Sequence, residues 1–219
     1  MPIDSFLGGT ERIDSPESMY SLIKEMGIVP FFANPVKGWS VQENTARDFW
    51  FTEEQLGPWD WKIDCVREGD IAYGKFLFGG KSSFASRRWY LELMNWRRSL
   101  GKYTPSGMAA EVLDLIRKEG SSDIRTLRRH FSVRKNAMDA LLTKLEAGTW
   151  IVIGDFQRVY SGPDLHYSGW QTAAFCTPED LFDSAPASRP PGESRELLAG
   201  LLAEHAPGIS PKTISRILD

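Results

Sequence analysis

MAAEVLDLIRKEGSSDIRTLRRHFSVRKNAMDALLTKLEAG, residues 108–148, carries three helical periods in succession. Ala109, Val112, Leu113 and Ile116 share one side of a first helix that stops at Gly120. Ser122 is the expected cap of a second helix, which keeps its apolar spacing at Ile124, Leu127 and Phe131. Ser132 is the expected start of a third, with Ala137, Met138, Leu141, Leu142 and Leu145 inward and Gly148 past its last turn. Downstream, Trp150 to Phe156 and Trp170 to Cys176 are rich in β-branched and aromatic residues and read as two strands around Ser161-Gly162-Pro163. Thr177 then caps a short helix whose first turn holds Glu179 and Asp180, where the helix dipole favours negative charge. Three helices followed by a β-ribbon predict a winged-helix domain from Met108 to Phe182.

Charge follows the same segment. The chain of 219 residues has a net charge of −3, too acidic overall for indiscriminate coating of nucleic acid. Between Lys81 and Lys135, however, 13 lysines and arginines face 5 acids, so the basic charge forms one central block on an otherwise acidic protein. In helix-turn-helix docking the early residues of the recognition helix reach base edges and neighbouring elements hold phosphates. Those roles fall to Arg134, Lys135 and Asn136 at the start of the third helix, with Asp139 beside them, and to Arg125, Arg128 and Arg129 on the second. Arg97 and Arg98 are further candidates for phosphate contact, as are Arg158 and His166 in an expected wing between Gln157 and Ser168. Double-stranded DNA is the expected partner, and a solvated helix face is the bland alternative.

The first half has another character. Met1 to Asp14 reads as a loosely held arm, followed by a helix capped by Ser15 with Pro16 in its first turn, Met19, Leu22, Ile23 and Met26 inward, and Gly27 as its stop. From Phe31 to Phe84, aromatic clusters broken by Gly and Pro read as strands and turns. Trp59 to Cys65 alternates like a strand, and Arg67-Glu68-Gly69-Asp70 would turn it into a hairpin with Ile71 to Phe78. Ser86 to Leu100 is helical again. The expected class is α+β: an aromatic-rich domain over 1–106, the winged helix over 107–183, a proline-rich linker over 184–192, and a helical segment over 193–219. That last segment, with helices at Glu193 to His205 and Pro211 to Leu218, would dock on the body or pair two chains as a homodimer.

Pro58-Trp59-Asp60-Trp61-Lys62 is the most unusual composition in the chain and invites a substrate pocket. Trp59 and Trp61 would wall it with Tyr73, Asp60 would act as a base, and Lys62 or Lys75 would meet a phosphate. Glu53, Glu54 and Asp64 are weaker carboxylate candidates. Against the pocket, a regular strand puts Asp60 opposite both indoles, which leaves the tryptophans as core. His130, His166 and His205 lie in separate segments, and Cys65 and Cys176 lack zinc-like spacing, so neither metal nor cofactor is expected. Gly79-Gly80-Lys81-Ser82 lacks the preceding glycine of a phosphate loop. No run approaches ~18 to 20 apolar residues and no export signal opens the chain, so no membrane partner and a cytoplasmic location are expected.

Gly57-Pro58-Trp59-Asp60-Trp61-Lys62, Tyr73-Gly74-Lys75, Asn95-Trp96-Arg97-Arg98, and Gly169-Trp170 with the Thr177-Pro178-Glu179 cap together resemble bacterial relatives of the AlkZ-type DNA glycosylases. The likeness spans most of the chain. It implies winged-helix architecture and a connection with excision of alkylated bases. The glycosylases of that group use a glutamine one residue removed from Asp or Gln. Gln42, Gln55, Gln157 and Gln171 all lack such a partner two residues on, so the catalytic pair has no counterpart along this sequence. Three functions stay open: a DNA-binding protein related to alkylation repair that acts on or recognises damaged bases, a ligand-responsive transcriptional regulator, and an interaction module.

Overall fold

In the computed structural model, which describes residues 12–50, 56–77, 80–206 and 208–219, the first helix, α1 (Pro16–Met26), forms as its sequence dictates. Ser15 accepts the Ser18 backbone N–H while the Ser18 hydroxyl accepts from Ser15 N–H, a reciprocal cap. Met19, Leu22, Ile23 and Met26 are buried, and Gly27 ends the helix at φ 70°. Strand β1 (Ile28–Pro30), helix α2 (Val41–Asn44) and a 3-10 turn at Arg47–Phe49 follow. Residues 1–11, Phe51, Glu53, Glu54, Gln55, Phe78 and Gly79 lie outside the described residues, so most of the expected arm and two of the weaker acid candidates do too.

The segment expected as a strand from Trp59 to Cys65 is instead helix α3 (Pro58–Arg67). Its start is chemically ordinary: Pro58 stands at the first helical position, where no N–H is needed, and Asp60 lies in the first turn near the positive end of the dipole. The apparent alternation came from Asp60 and Lys62, both polar and both buried, at 7% and 1% exposure. Arg67 to Asp70 therefore joins a helix to β2 (Ile71–Leu77), whose hairpin partner is β3 (Lys81–Ser86). Helix α4 (Arg87–Ser99) leads to a 3-10 turn at Gly101–Tyr103.

The second half runs α5 (Met108–Glu119), β4 (Ser122–Asp123), α6 (Ile124–Phe131), α7 (Lys135–Ala147), β5 (Val152–Ser161), β6 (His166–Cys176) and α8 (Pro178–Phe182). Two helix starts differ from expectation. Asp123 caps α6, because Ser122 is drawn into a short pairing with Phe175. Ser132 is the left-handed end of α6 at φ 54°, and α7 begins three residues later after Arg134. Ala137, expected inward, is consequently exposed, whereas Met138, Leu142 and Leu145 are buried. The ribbon is longer than expected, since β5 and β6 consume most of the supposed loop and leave a turn of residues 162–165.

The six strands of the described residues belong to one antiparallel sheet in the order β1-β3-β2-β5-β6-β4. The seam between halves is a single register pair, Tyr73 with Ile153. Just beyond it Glu146 on α7 takes over as partner, accepting the Lys75 backbone N–H at 3.1 Å. Burial raises the Glu146 carboxyl to about 7.

Helices α9 (Pro191–His205) and α10 (Pro211–Leu218) return to the body. Leu198, Leu201 and Leu202 are buried, Asn95 donates to Arg189 O and Ser194 Oγ at 2.8 Å each, and Ser194 donates to Glu92 at 2.6 Å. Their apolar sides are thus used within this chain. Arg97, expected to meet phosphate, is corrected to a structural residue: it is 3% exposed and donates to Phe76 O at 2.7 Å, Ala147 O at 2.6 Å and Ile217 O at 2.5 Å. Arg98 is likewise engaged, with Glu179 and the Thr149 carbonyl, over the Trp150 ring. Cys65 and Cys176 are free and buried, and burial pushes both thiols up to about 12.

Candidate nucleic-acid interface

Helix α6 is short and strongly two-sided. Leu127 is its one fully buried residue, flanked by half-buried Ile124 and Phe131, so the remaining positions must face water. Asp123 ties down its start by accepting from Arg125 N at 2.7 Å, Thr126 N at 3.1 Å and the Thr126 hydroxyl at 2.7 Å. Burial opposes ionisation of that carboxyl, but these hydrogen bonds outweigh it and hold the group below the usual range. Arg125 and Arg129 are exposed, and Arg128 is half-buried with its Nε unpartnered among the described residues.

At the start of α7, Arg134, Lys135 and Asn136 are all exposed. Arg125, Arg129, Arg134 and Lys135 have no carboxylate ion-pair partner among the described residues, so their charge faces outward. One side of α7 packs inward along its length at Met138, Leu142, Leu145 and Glu146, and towards its far end the β2–β3 turn closes on Thr143, within 3.0 Å of where a Cβ on Gly80 would stand. The first turns of α7 stand clear for a large partner. The β5–β6 ribbon carries three large, singly exposed side chains, Tyr160, Leu165 and Trp170, at 53%, 70% and 72% exposure.

The aromatic pocket expected around Asp60 does not form. Because α3 is a helix, Trp59, Asp60 and Trp61 point in different directions. Trp61 is core against Phe49, and half-buried Trp59 packs edge-on to Phe31 while its indole N–H donates to Gly169 O at 3.0 Å. Tyr73 is buried among Phe84, Phe156 and Phe31, and burial raises its hydroxyl pKa. Lys75 lies on β2 beside Thr143, its Nζ 3.4 Å from the Thr143 hydroxyl. The expected pocket residues are therefore divided between core, seam and α3.

Asp60 meets groups from β5 and β6 instead. Tyr167 donates to Asp60 Oδ1 at 2.7 Å, Gln171 Nε2 donates to the same oxygen at 3.1 Å, and Arg158 Nε stands 3.5 Å from it. Lys62 completes the set, donating to Gln171 Oε1 at 2.5 Å and to Trp59 O, with its ammonium 3.6 Å above the Trp59 ring. Burial lowers Lys62 to about 7, Asp60 pulls it back up and Arg158 lowers it again. Arg158, expected on phosphate, is half-buried in this network and stacked on Tyr167. Tyr167 and Gln171 were not legible as partners of Asp60. They lie more than a hundred residues away, and only the register of β6 against α3 joins them.

A basic face on α6 and early α7, an exposed aromatic ribbon and a closed polar tie around Asp60 are carried by an α+β protein. The chain belongs to the AlkZ-related family, whose model matches residues 13–219. No curated protein and no solved structure matches it. Among the described residues no helix is long and apolar enough to cross a membrane.

Proposed function

We propose that this chain is a winged-helix protein that binds double-stranded DNA, in keeping with its membership of a DNA-repair-related family. The observation that carries the reading is the outward, unpaired set Arg125, Arg129, Arg134 and Lys135 around the free first turns of α7. Unpaired cations on two adjacent helices gain by displacing counterions from phosphates. Helix α7 enters the major groove by its first turns, where Asn136 and Arg134 meet base edges. Arg125 and Arg129 hold the backbone, and Trp170 of the ribbon lies against the sugars of the adjacent groove.

Asp60 has a holding role in this reading. Its Oδ1 already faces Tyr167, Gln171 and Arg158, so it joins α3 to the ribbon. The protein then recognises DNA without excising a base. Two measurements test this. Titration with duplex DNA should show binding that Arg134→Ala with Asn136→Ala weakens, most for the preferred sequence. Incubation with alkylated duplex should release no base, and release abolished by Asp60→Asn would return Asp60 to a catalytic role.

A further inference from the structure

An open cleft of about 660 Å³ lies on the opposite flank of α7 from α5 and α6, between the end of β2, the Gly101–Tyr103 turn and the last turn of α10. Lys75, Lys102, Lys144 and Arg216 line it, contributed by four separate elements, and none has a carboxylate ion-pair partner among the described residues. Two acids share the lining. Asp219 is matched by Arg195, whose guanidinium donates to both carboxyl oxygens at 2.9 Å; it also feels the charge of Lys102, as Glu146 feels that of Lys75, and Asp139 is the other acid of the lining.

Such convergence is costly in an empty site, because like charges brought together repel. It becomes favourable when an anion enters. The cleft is not merely cationic, however. Phe76 and Ile217 form an apolar floor, and the half-buried ring of Tyr103 stands at one side, with its hydroxyl on Asp219 O at 3.2 Å and with Lys102 and Arg97 4.8 and 5.3 Å from its centre. A flat apolar group beside a cluster of cations matches a ligand with a ring at one end and a phosphate at the other, and the volume suits a group of that size. We infer that this cleft binds a nucleotide through its phosphate, either as a free mononucleotide or as one unit of a nucleic-acid strand. Lys102, Lys144 and Arg216 hold the phosphate, and Tyr103 and the floor take the base.

The inference does not rest on the duplex reading, since the residues of the cleft and of the α6–α7 face are different. Thymidine 5′-monophosphate is titrated into the full chain by calorimetry, with thymidine and inorganic phosphate as controls. Saturable binding tighter than about 1 mM is expected, at least ~10-fold tighter than either control and weakened at least ~10-fold by Lys144→Glu or Arg216→Glu. Both side chains are exposed, so these variants should keep the wild-type melting temperature, and Lys102→Glu offers a third with the same expectation. Displacement of the mononucleotide by a short oligothymidylate, sensitive to the same variants, places the occupant within a strand; mononucleotide binding without such displacement makes it a free nucleotide. Equal affinity for thymidine or for inorganic phosphate, affinity unchanged by the charge reversals, or no variant-sensitive binding of either nucleotide form would overturn the inference. Loss of duplex binding in Arg134→Ala with Lys135→Ala leaves it untouched.

Discussion

Lys62 and Glu146 sit on either side of the seam and respond to pH in opposite senses. Lys62 is lowered from 10.5 to about 7, so the folded state prefers its neutral form. Its contribution to stability is complete above the unfolded value and is lost as pH falls through about 7. Glu146 is raised from 4.5 to about 7, so its contribution is complete below the unfolded value and is lost as pH rises through about 7. In the wild-type chain the two slopes act in adjacent windows, downward between pH 4.5 and about 7 for Glu146 and upward between about 7 and 10.5 for Lys62, so stability should pass through a minimum near pH 7. Denaturant unfolding between about pH 5 and pH 9 covers both arms, and each variant should remove one of them. Glu146→Gln keeps an acceptor for Lys75 N–H and should leave a protein that gains stability with rising pH. Lys62→Met should leave one that loses it. Equal slopes in the two variants would refute the assignment. Arg97 supplies a third expectation at this scale: Arg97→Ala strands buried carbonyls at Phe76, Ala147 and Ile217 and should cost at least about 2 kcal/mol in unfolding free energy.

Among the elements, the join between α1 and β1 turns on Gly27. Its φ of 70° disfavours any side chain, and a Cβ there would lie 2.4 Å from Trp89 Cδ1 on α4. Gly27→Ala should lower the melting temperature by several degrees, corresponding to about 1–2 kcal/mol. The ribbon makes a different prediction, since Trp170 at 72% exposure supports nothing in the fold. Trp170→Ala should leave thermal stability within about 0.5 kcal/mol and weaken duplex binding, as seen by anisotropy; unchanged affinity would remove the ribbon from the interface. Legibility divides along the same line. Helix α1, with its Ser15 cap and Gly27 stop, could be read from the sequence because local capping and the spacing of Met19, Leu22, Ile23 and Met26 fix it. Helix α3 could not. Asp60 and Lys62 are buried polar residues held by Tyr167 and Gln171, so the polarity pattern along the segment imitated a strand. The basic face was readable as composition, but Arg97 shows that composition does not separate an exposed arginine from one enclosed by carbonyls.

At the level of the whole molecule, one sheet joins strands from both halves, and the C-terminal helices pack on α4. We propose that the chain unfolds as one cooperative unit despite the joint at Gly101 to Gly107, so fluorescence and circular dichroism should give coincident transitions. The same arrangement fixes where a partner can sit. The cations of α6 and early α7 form one approachable side, and binding of a duplex there must release counterions. The measurement that bears most directly on this is the salt dependence of duplex-DNA affinity, for the wild-type chain and for the combined variant Arg125→Ala, Arg129→Ala, Arg134→Ala and Lys135→Ala. A slope of log affinity against log salt of roughly −3 to −4 is expected for the wild type, falling to about −1 or less in the variant at unchanged melting temperature. A wild-type slope near zero, or a slope that the four substitutions leave intact, would contradict the assignment of this face to DNA.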